Sequence, residues 1–158
     1  MIPKKYRPSV EAIYAFSRMA DDFADEAVYF GSRLKKLDEW EAALVDTSRP
    51  THPVFIALKN SIEKFDLPLQ LFKDLIAAFK QDVQKKRYQN FSEVIEYCTL
   101  SANPVGRLVL RLFKQDTVEH VKMSDAICTA LQLINFWQDI AIDLKKDRIY
   151  LPLDELDK

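Results

Sequence analysis

The chain has 158 residues, of which 48% are hydrophobic and 30% charged, with a formal net charge of −1. This length is enough for one domain with a substantial core, and the balanced charge argues against a nucleic-acid-binding surface. No apolar run reaches the roughly 18 residues that a membrane-spanning helix needs. The residues after Met1 include no apolar core segment, and Cys98 and Cys128 lack a CxxC spacing, so we expect an intracellular protein with reduced thiols and no signal peptide.

Helices are the elements that the composition favours. Only Gly31 and Gly106 are glycines, while alanine, leucine, lysine and glutamate are abundant. Helices are therefore predicted, in chain order, at about 8–27, 32–45, 54–65, 68–86, 91–100, 103–113 and 117–145. A proline-containing turn is predicted at 46–53, Asn103 and Thr117 are predicted helix N-caps, and the chain should leave the last helix near Asp147. No repeat or linker divides the chain, so residues 1–158 are predicted to be a single helical domain.

The first predicted helix carries a polar stripe on an otherwise apolar sequence, YAFSRMADDFADE (14–26). Tyr14, Arg18, Asp21 and Asp25 are spaced by 4, 3 and 4 residues, which places them on one helical face. Asp22 is rotated away from this stripe. Crowding like charges is unfavourable, so the cluster calls for cations that relieve the repulsion.

The last predicted helix repeats this arrangement. Gln132, Asn135, Asp139 and Asp143 form a polar stripe at spacings of 3, 4 and 4, and apolar residues cover most of the remaining circumference. A helix that is apolar nearly all round is usually buried, and a buried carboxylate needs a partner. The stripes could be solvated faces or could pair with lysines and arginines. Alternatively, two aspartate pairs that face each other across a cavity would suit Mg²⁺ ions that bridge to a diphosphate.

Two motifs on these helices resemble the squalene and phytoene synthase family. RMADDFADE (18–26) is similar to the first aspartate-rich motif of the family, and NFWQDIAID (135–143) followed by DRIYLP (147–152) is similar to the second. The stretches FKQD (79–82), RY (87–88) and YCTLSANPVG (97–106) also match family segments, so the resemblance covers essentially the whole chain. It implies an all-α isoprenoid-synthase bundle around a central cavity.

The segment SANPVG (101–106) departs from the usual Val-Ala-Gly pattern of the family. With INFWQD (134–139), it resembles the bacterial hydroxysqualene synthase branch of the hopanoid pathway. That branch is implied to ionise presqualene diphosphate and to capture the rearranged cation with water. Two alternatives stay open: a head-to-head synthase that joins two farnesyl or geranylgeranyl diphosphates into squalene, dehydrosqualene or phytoene, and a non-catalytic helical protein with structural salt bridges.

The resemblance, together with side-chain chemistry, implies roles for named residues. Asp21, Asp25, Asp139 and Asp143 are expected to bind Mg²⁺, whereas Arg18, Arg148 and Tyr150 suit the oxygens of a diphosphate. Tyr97 aligns with the catalytic tyrosine of the family, and its ring could face a carbocation while its hydroxyl binds the leaving diphosphate or positions water. Asn103 is a candidate for placing the quenching water, and Asn135 with Gln132 is expected to orient metal-bound water or the second carboxylates. Candidates for the apolar cavity wall are Tyr14, Phe16, Phe79, Leu108 and Phe136, and plain core packing is the more common role for any single one of them.

Family members usually extend well beyond the segment matched by DRIYLP and begin slightly before the segment matched by Met1. We therefore expect an incomplete isoprenoid synthase domain that lacks C-terminal helices and is truncated at both ends. The expected location is the cytoplasm. Because the product would be apolar, a peripheral contact with the inner membrane face is also possible.

Overall fold

The computed structural model describes residues 2–46 and 51–156, and it confirms the predicted all-α class. The helices are α1 (Arg7–Asp25), α2 (Arg33–Val45), α3 (Pro53–Phe65), α4 (Leu69–Gln84), α5 (Phe91–Ser101), α6 (Asn103–Leu112), α7 (Val118–Gln138), α8 (Ile140–Lys145) and α9 (Leu153–Leu156). A short 3₁₀ helix at Ala27–Tyr29 follows α1. The middle of the predicted turn, 47–50, lies outside the described residues. Within them, no helix is both long and apolar enough to cross a membrane.

Side-chain caps explain where several helices begin. Thr117 caps α7 as predicted, because its hydroxyl accepts a hydrogen bond from the backbone N–H of His120 at 3.2 Å. Asn90 caps α5 in the same way, through the N–H of Glu93 at 3.1 Å. The prediction for Asn103 is wrong: Ala102 occupies the N-cap position of α6, and Asn103 lies inside the first turn.

The core is built where α1, α2, α3, α4 and α6 pack together. Phe16 and Leu108 are completely buried in it, so for these two cavity-wall candidates the structure supports core packing. Phe16 contacts the rings of Trp40, Phe55 and Phe72, with centroid separations of 5.3–6.0 Å. Tyr14, by contrast, is 68% exposed.

The last predicted helix is interrupted at Asp139, which separates α7 from α8. The interruption is mild, because the backbone N–H of Asp139 still bonds to the carbonyl of Asn135 at 2.9 Å, and that of Asp143 to Asp139 at 2.8 Å. These i→i−4 bonds preserve the helical spacing of the polar stripe across the break. Exposed apolar residues lie along α7 and α8, including Ile127, Leu131, Ile134, Trp137 and Ile142.

A short parallel strand pair completes the described fold. Strand β1 (Arg87–Tyr88) pairs with β2 (Ile149–Pro152), which follows a turn in which Asp147 adopts a positive φ of 57°. The sequence analysis did not predict these strands. Their pairing returns the chain after α8 to the end of α4, and this return positions Arg148 and Tyr150.

Candidate active site

The first aspartate motif occupies the last two turns of α1. Arg18 contacts two of its carboxylates: Nη1 lies 3.0 Å from Asp21 Oδ2, and Nη2 lies 2.9 Å from Asp22 Oδ1. All three side chains are partly solvent-exposed. Arg18, predicted to bind diphosphate, is therefore paired with its neighbours on α1 in this structure.

Asp25 joins the first motif to the segment after the second. Lys146 Nζ donates to its Oδ2 at 2.6 Å, and Arg148 Nη2 donates to its Oδ1. The Arg148 side chain is only 7% exposed, and its Nε has no hydrogen-bond partner among the described residues. Burial raises the pKa of Asp25, but the hydrogen bonds from Arg148 and Lys146 outweigh burial and lower the pKa overall.

The pKa values of Asp21 and Asp143 are shifted in the opposite direction to that of Asp25. Burial, followed by the charge of Asp25, raises the pKa of Asp21. Burial also raises the pKa of Asp143, and the charges of Asp139 and Asp25 add to this effect. Lys146 opposes the rise at both residues. The structure thus brings Asp21, Asp25 and Asp143 within electrostatic range of one lysine, whereas Asp139 at the α7–α8 junction is exposed.

The donor set consists of carboxylate oxygens, which are ligands that a hard cation prefers. Within residues 2–46 and 51–156, no three histidine, cysteine, aspartate or glutamate side chains come close enough to hold one ion. Mg²⁺ does not need such a cage, because it commonly binds through one or two carboxylates, water and substrate phosphates. This mode of binding fits the site, because the charge of Asp25 raises the pKa of both Asp21 and Asp143, and a cation between these carboxylates would relieve the repulsion.

A buried carboxylate on α4 forms a second polar centre. The hydroxyl of Tyr97 donates to Asp82 Oδ2 at 2.8 Å, and that of Tyr150 donates to Oδ1 at 2.7 Å. Burial raises the pKa of Asp82 to about 6, although both tyrosines and Arg148 act against this rise. In this arrangement the one proton of each phenol is directed at Asp82, so each oxygen has only lone pairs to offer to another group.

Sequence reasoning gave Asp82 no role, although it lies in one of the matched segments. The three partners are separated by 15 and 68 residues along the chain, so no local spacing relates them. The available signal was helical spacing, because Asp82 follows Leu75 and Ala78 by seven and four residues and so falls on an apolar face of the predicted helix. Such a position is costly without a partner.

Aromatic rings surround this centre and border a narrow crevice. The ring of Tyr150 stacks on Phe136, with centroids 4.2 Å apart and an interplanar angle of 5°. Both residues line a crevice of about 20 Å³ together with Asp143 and Arg148. Phe136, predicted as cavity wall, is thus in contact with residues of the second motif.

The remaining candidates have distinct placements. Asn103 is buried, and its Oδ1 accepts a hydrogen bond from Thr129 Oγ1 at 3.0 Å, which ties α6 to α7. Gln132 is half-buried on α7 and Asn135 is exposed. Phe79 packs against the edge of the main core.

Comparison with known proteins matches this architecture to one family. The family model described as "Squalene/phytoene synthase" matches residues 1–158. The chain belongs to the squalene/phytoene synthase family. A hydroxysqualene synthase from Rhodopseudomonas palustris is 38% identical over 99% of this chain, and a phytoene synthase from Mycobacterium tuberculosis is 30% identical over 100% of it. The chain spans about half of these relatives, covering 54% and 52% of their lengths.

A solved structure supports the family fold. The squalene synthase HpnC from Alicyclobacillus acidocaldarius superposes with a TM-score of 0.92 and 40% identity, over 99% of this chain and 59% of that one. The chain therefore has the helical fold of this squalene/phytoene synthase family member.

Proposed function

We propose that the protein carrying this chain is a Mg²⁺-dependent enzyme that converts presqualene diphosphate to hydroxysqualene. The observation that carries the proposal is the meeting of the two aspartate motifs around Lys146. Asp25 binds Lys146 directly, and the same ammonium group acts on the pKa of Asp21 and Asp143. Relatives named hydroxysqualene synthase, at 37–38% identity, support the choice of substrate.

In the proposed site, Asp21, Asp25, Asp139 and Asp143 would hold Mg²⁺. When bound, the metal would neutralise charge on the departing diphosphate as a Lewis acid. Arg18 and Arg148 would exchange their present carboxylate partners for diphosphate oxygens, for which a guanidinium is well shaped. The unpartnered Nε of Arg148 is a donor that such an oxygen would satisfy.

The remaining steps fall to the aromatic and amide side chains. Phe136 and Tyr150 border the crevice beside Asp143 and Arg148, and they would limit the access of water to the cation after ionisation. Tyr97 would support Tyr150 through their shared contact with Asp82. Asn103 would help to place the water that captures the cation, and Asn135 with Gln132 would orient metal-bound water. Because the product is apolar, peripheral contact with a membrane surface is part of the proposal.

The test is a product assay on the complete protein in water enriched in ¹⁸O. Presqualene diphosphate with Mg²⁺ should yield hydroxysqualene that carries the heavy oxygen. The same reaction without the divalent ion should release little diphosphate. A hydrocarbon product, or an alcohol without ¹⁸O, would contradict water capture.

A head-to-head prenyl synthase is the second candidate. It is favoured by the phytoene synthases among the relatives, at 30–35% identity, and by the name of the solved structure. Farnesyl or geranylgeranyl diphosphate as sole substrate separates the two functions. Formation of squalene, dehydrosqualene or phytoene from these substrates would favour the second candidate.

A further inference from the structure

Asp82 is a buried charged side chain that none of the metal or diphosphate roles uses. The residue is 6% exposed and lies in the last turn of α4. Among the described residues, no lysine, arginine or histidine nitrogen lies within ion-pair distance of its carboxylate, and the nearby Arg148 donates to Asp25 instead. The two tyrosine hydroxyls are the hydrogen-bond donors to this carboxylate.

Packing alone does not require this arrangement. A buried charge without a cation partner is unfavourable, and apolar side chains of similar volume commonly replace such groups with no loss of stability. Asp82, Tyr97 and Tyr150 could be leucine and two phenylalanines if they served only the core. What the carboxylate adds is a negative charge at the hydroxyl ends of two aromatic rings.

The rings connect this charge to the crevice. Tyr150 is stacked on Phe136 and on Tyr88, with centroids 4.2 and 5.6 Å away, so its electron density would act on a cation through the stacked Phe136. The Tyr97 ring lies 5.4 Å from Tyr150 and 5.9 Å from Phe136. Donation of a phenol proton to a carboxylate makes the ring more electron-rich, and an electron-rich ring attracts cations to its face. Phe136 and Tyr150 share the crevice with Asp143 and Arg148, two of the residues that are proposed to bind the metal and the departing diphosphate.

We propose that Asp82 is a positioning residue that gives this aromatic surface its affinity for a carbocation, acting through Tyr97 and Tyr150. The inference rests on the proposed function, because ionisation of a prenyl diphosphate would create the cation next to this surface. Asp82 itself need not touch the substrate. Its charge and its two hydrogen bonds would favour a cationic ligand over a neutral ligand of the same shape.

Paired ligands test this charge preference without turnover. The ligands are a farnesyl chain ending in a trimethylammonium group and its neutral tert-butyl isostere. Their binding to the complete protein is measured by calorimetry with Mg²⁺ and inorganic diphosphate present. The wild type should prefer the ammonium ligand, and Asp82→Asn should lower the ratio of the two affinities by about tenfold while neutral-ligand binding is kept. No preference in the wild type, an unchanged ratio, or equal loss of both ligands would overturn the proposal.

Asp74→Asn is the matched control on the same helix. Asp74 lies two turns earlier, and its carboxylate accepts a hydrogen bond from Gln70 at 2.8 Å on an exposed surface. The affinity ratio should not change in this variant. An equal fall in the ratio would mean that any negative charge on α4 suffices, and Asp82 would lose its specific role.

Tyr150→Phe provides a second variant in case Asp82→Asn does not fold. It removes one hydroxyl that couples the carboxylate to the rings, and the hydrogen bond from Tyr97 to Asp82 Oδ2 is kept. The affinity ratio should fall by about threefold, and an unchanged ratio would contradict the proposal. Charge-selective binding without conversion of presqualene diphosphate would refute only the proposed reaction. Conversion without charge selectivity would refute only the role of Asp82.

Discussion

Individual aspartates of the first motif differ in what they contact, although their spacing suggested equivalence. Asp25 is held by a buried arginine and by a lysine, whereas Asp21 is paired with the exposed Arg18. The stripe was therefore both a candidate metal site and a set of ion pairs. The sequence left these alternatives open because the partners of Asp25 are more than 120 residues away.

Replacing these carboxylates with asparagine should have different effects on folding. Asp21→Asn and Asp139→Asn should reduce turnover of the complete protein by at least tenfold and keep the helical circular dichroism, since neither residue holds a buried cation. Asp25→Asn should also lower the free energy of unfolding by about 3 kcal/mol, because the buried Arg148 loses its carboxylate. A product assay measures turnover, whereas circular dichroism with urea titration measures the helical content and the free energy of unfolding. Unfolding of Asp21→Asn would favour a structural role for the stripe.

Asp82 should make stability depend on pH. Its pKa in the folded protein is about 6, above the ordinary value of 3.8, so the folded state holds this proton more tightly than the unfolded state. The contribution of Asp82 to the free energy of unfolding should therefore decrease as pH rises through that interval. From pH 5 to pH 7 the wild type should lose about 1 kcal/mol relative to Asp82→Asn. Urea unfolding of both proteins at both pH values measures this difference, and an equal pH dependence would contradict a raised pKa.

Among the elements, α6 and α7 pack unusually closely at Gly106. A Cβ atom on this residue would lie 2.4 Å from Ser124 Oγ and 2.6 Å from Cys128 Sγ. Gly106→Ala should therefore lower the free energy of unfolding by about 1–2 kcal/mol, even though alanine favours a helix. Thermal denaturation measures this loss.

A rescue experiment checks that the two side chains are the cause. Ser124→Ala and Cys128→Ala remove the contacting atoms, and the next nearest atom, Ser124 Cβ, is 3.7 Å away. In the Ser124→Ala/Cys128→Ala background, Gly106→Ala should therefore no longer lower the free energy of unfolding. If the loss persists in that background, close packing at these atoms is not its source.

Local sequence signals predicted most of the helices but not the long-range contacts between them. Proline, Thr117 and the polar turns mark helix ends through local chemistry, so predicted and observed boundaries nearly coincide. The interruption at Asp139 has no proline or glycine to announce it. Strands β1 and β2 are short and 60 residues apart, and their pairing is tertiary. For the same reason the contact of Asp82 with Tyr97 and Tyr150 was not predicted.

At the scale of the whole molecule, apolar side chains of α6, α7 and α8 remain uncovered. Val109, Ile127, Leu131 and Trp137 are each 42–60% exposed. Exposed apolar surface of this kind favours association. Residues 1–158 expressed alone should therefore self-associate and fail to form a single product, as measured by light scattering and product chromatography.

A charged variant provides the control for this prediction. Ile127→Lys with Leu131→Glu places an i,i+4 ion pair on the exposed face of α7 and should reduce the association of residues 1–158. A monodisperse monomer of the unmodified 1–158 chain that forms one alcohol would show that this surface needs no cover.

The most direct test of the central claim is a double-mutant cycle between the two aspartate motifs. The quantity measured is the affinity of the complete protein for inorganic diphosphate in the presence of Mg²⁺, for the wild type, Asp21→Asn, Asp139→Asn and the double variant. If both motifs bind one metal–diphosphate cluster, each single change should weaken binding by about tenfold or more, and the double change should weaken it by much less than the product of the two effects. Fully independent effects, or undiminished binding in either single variant, would contradict a shared site.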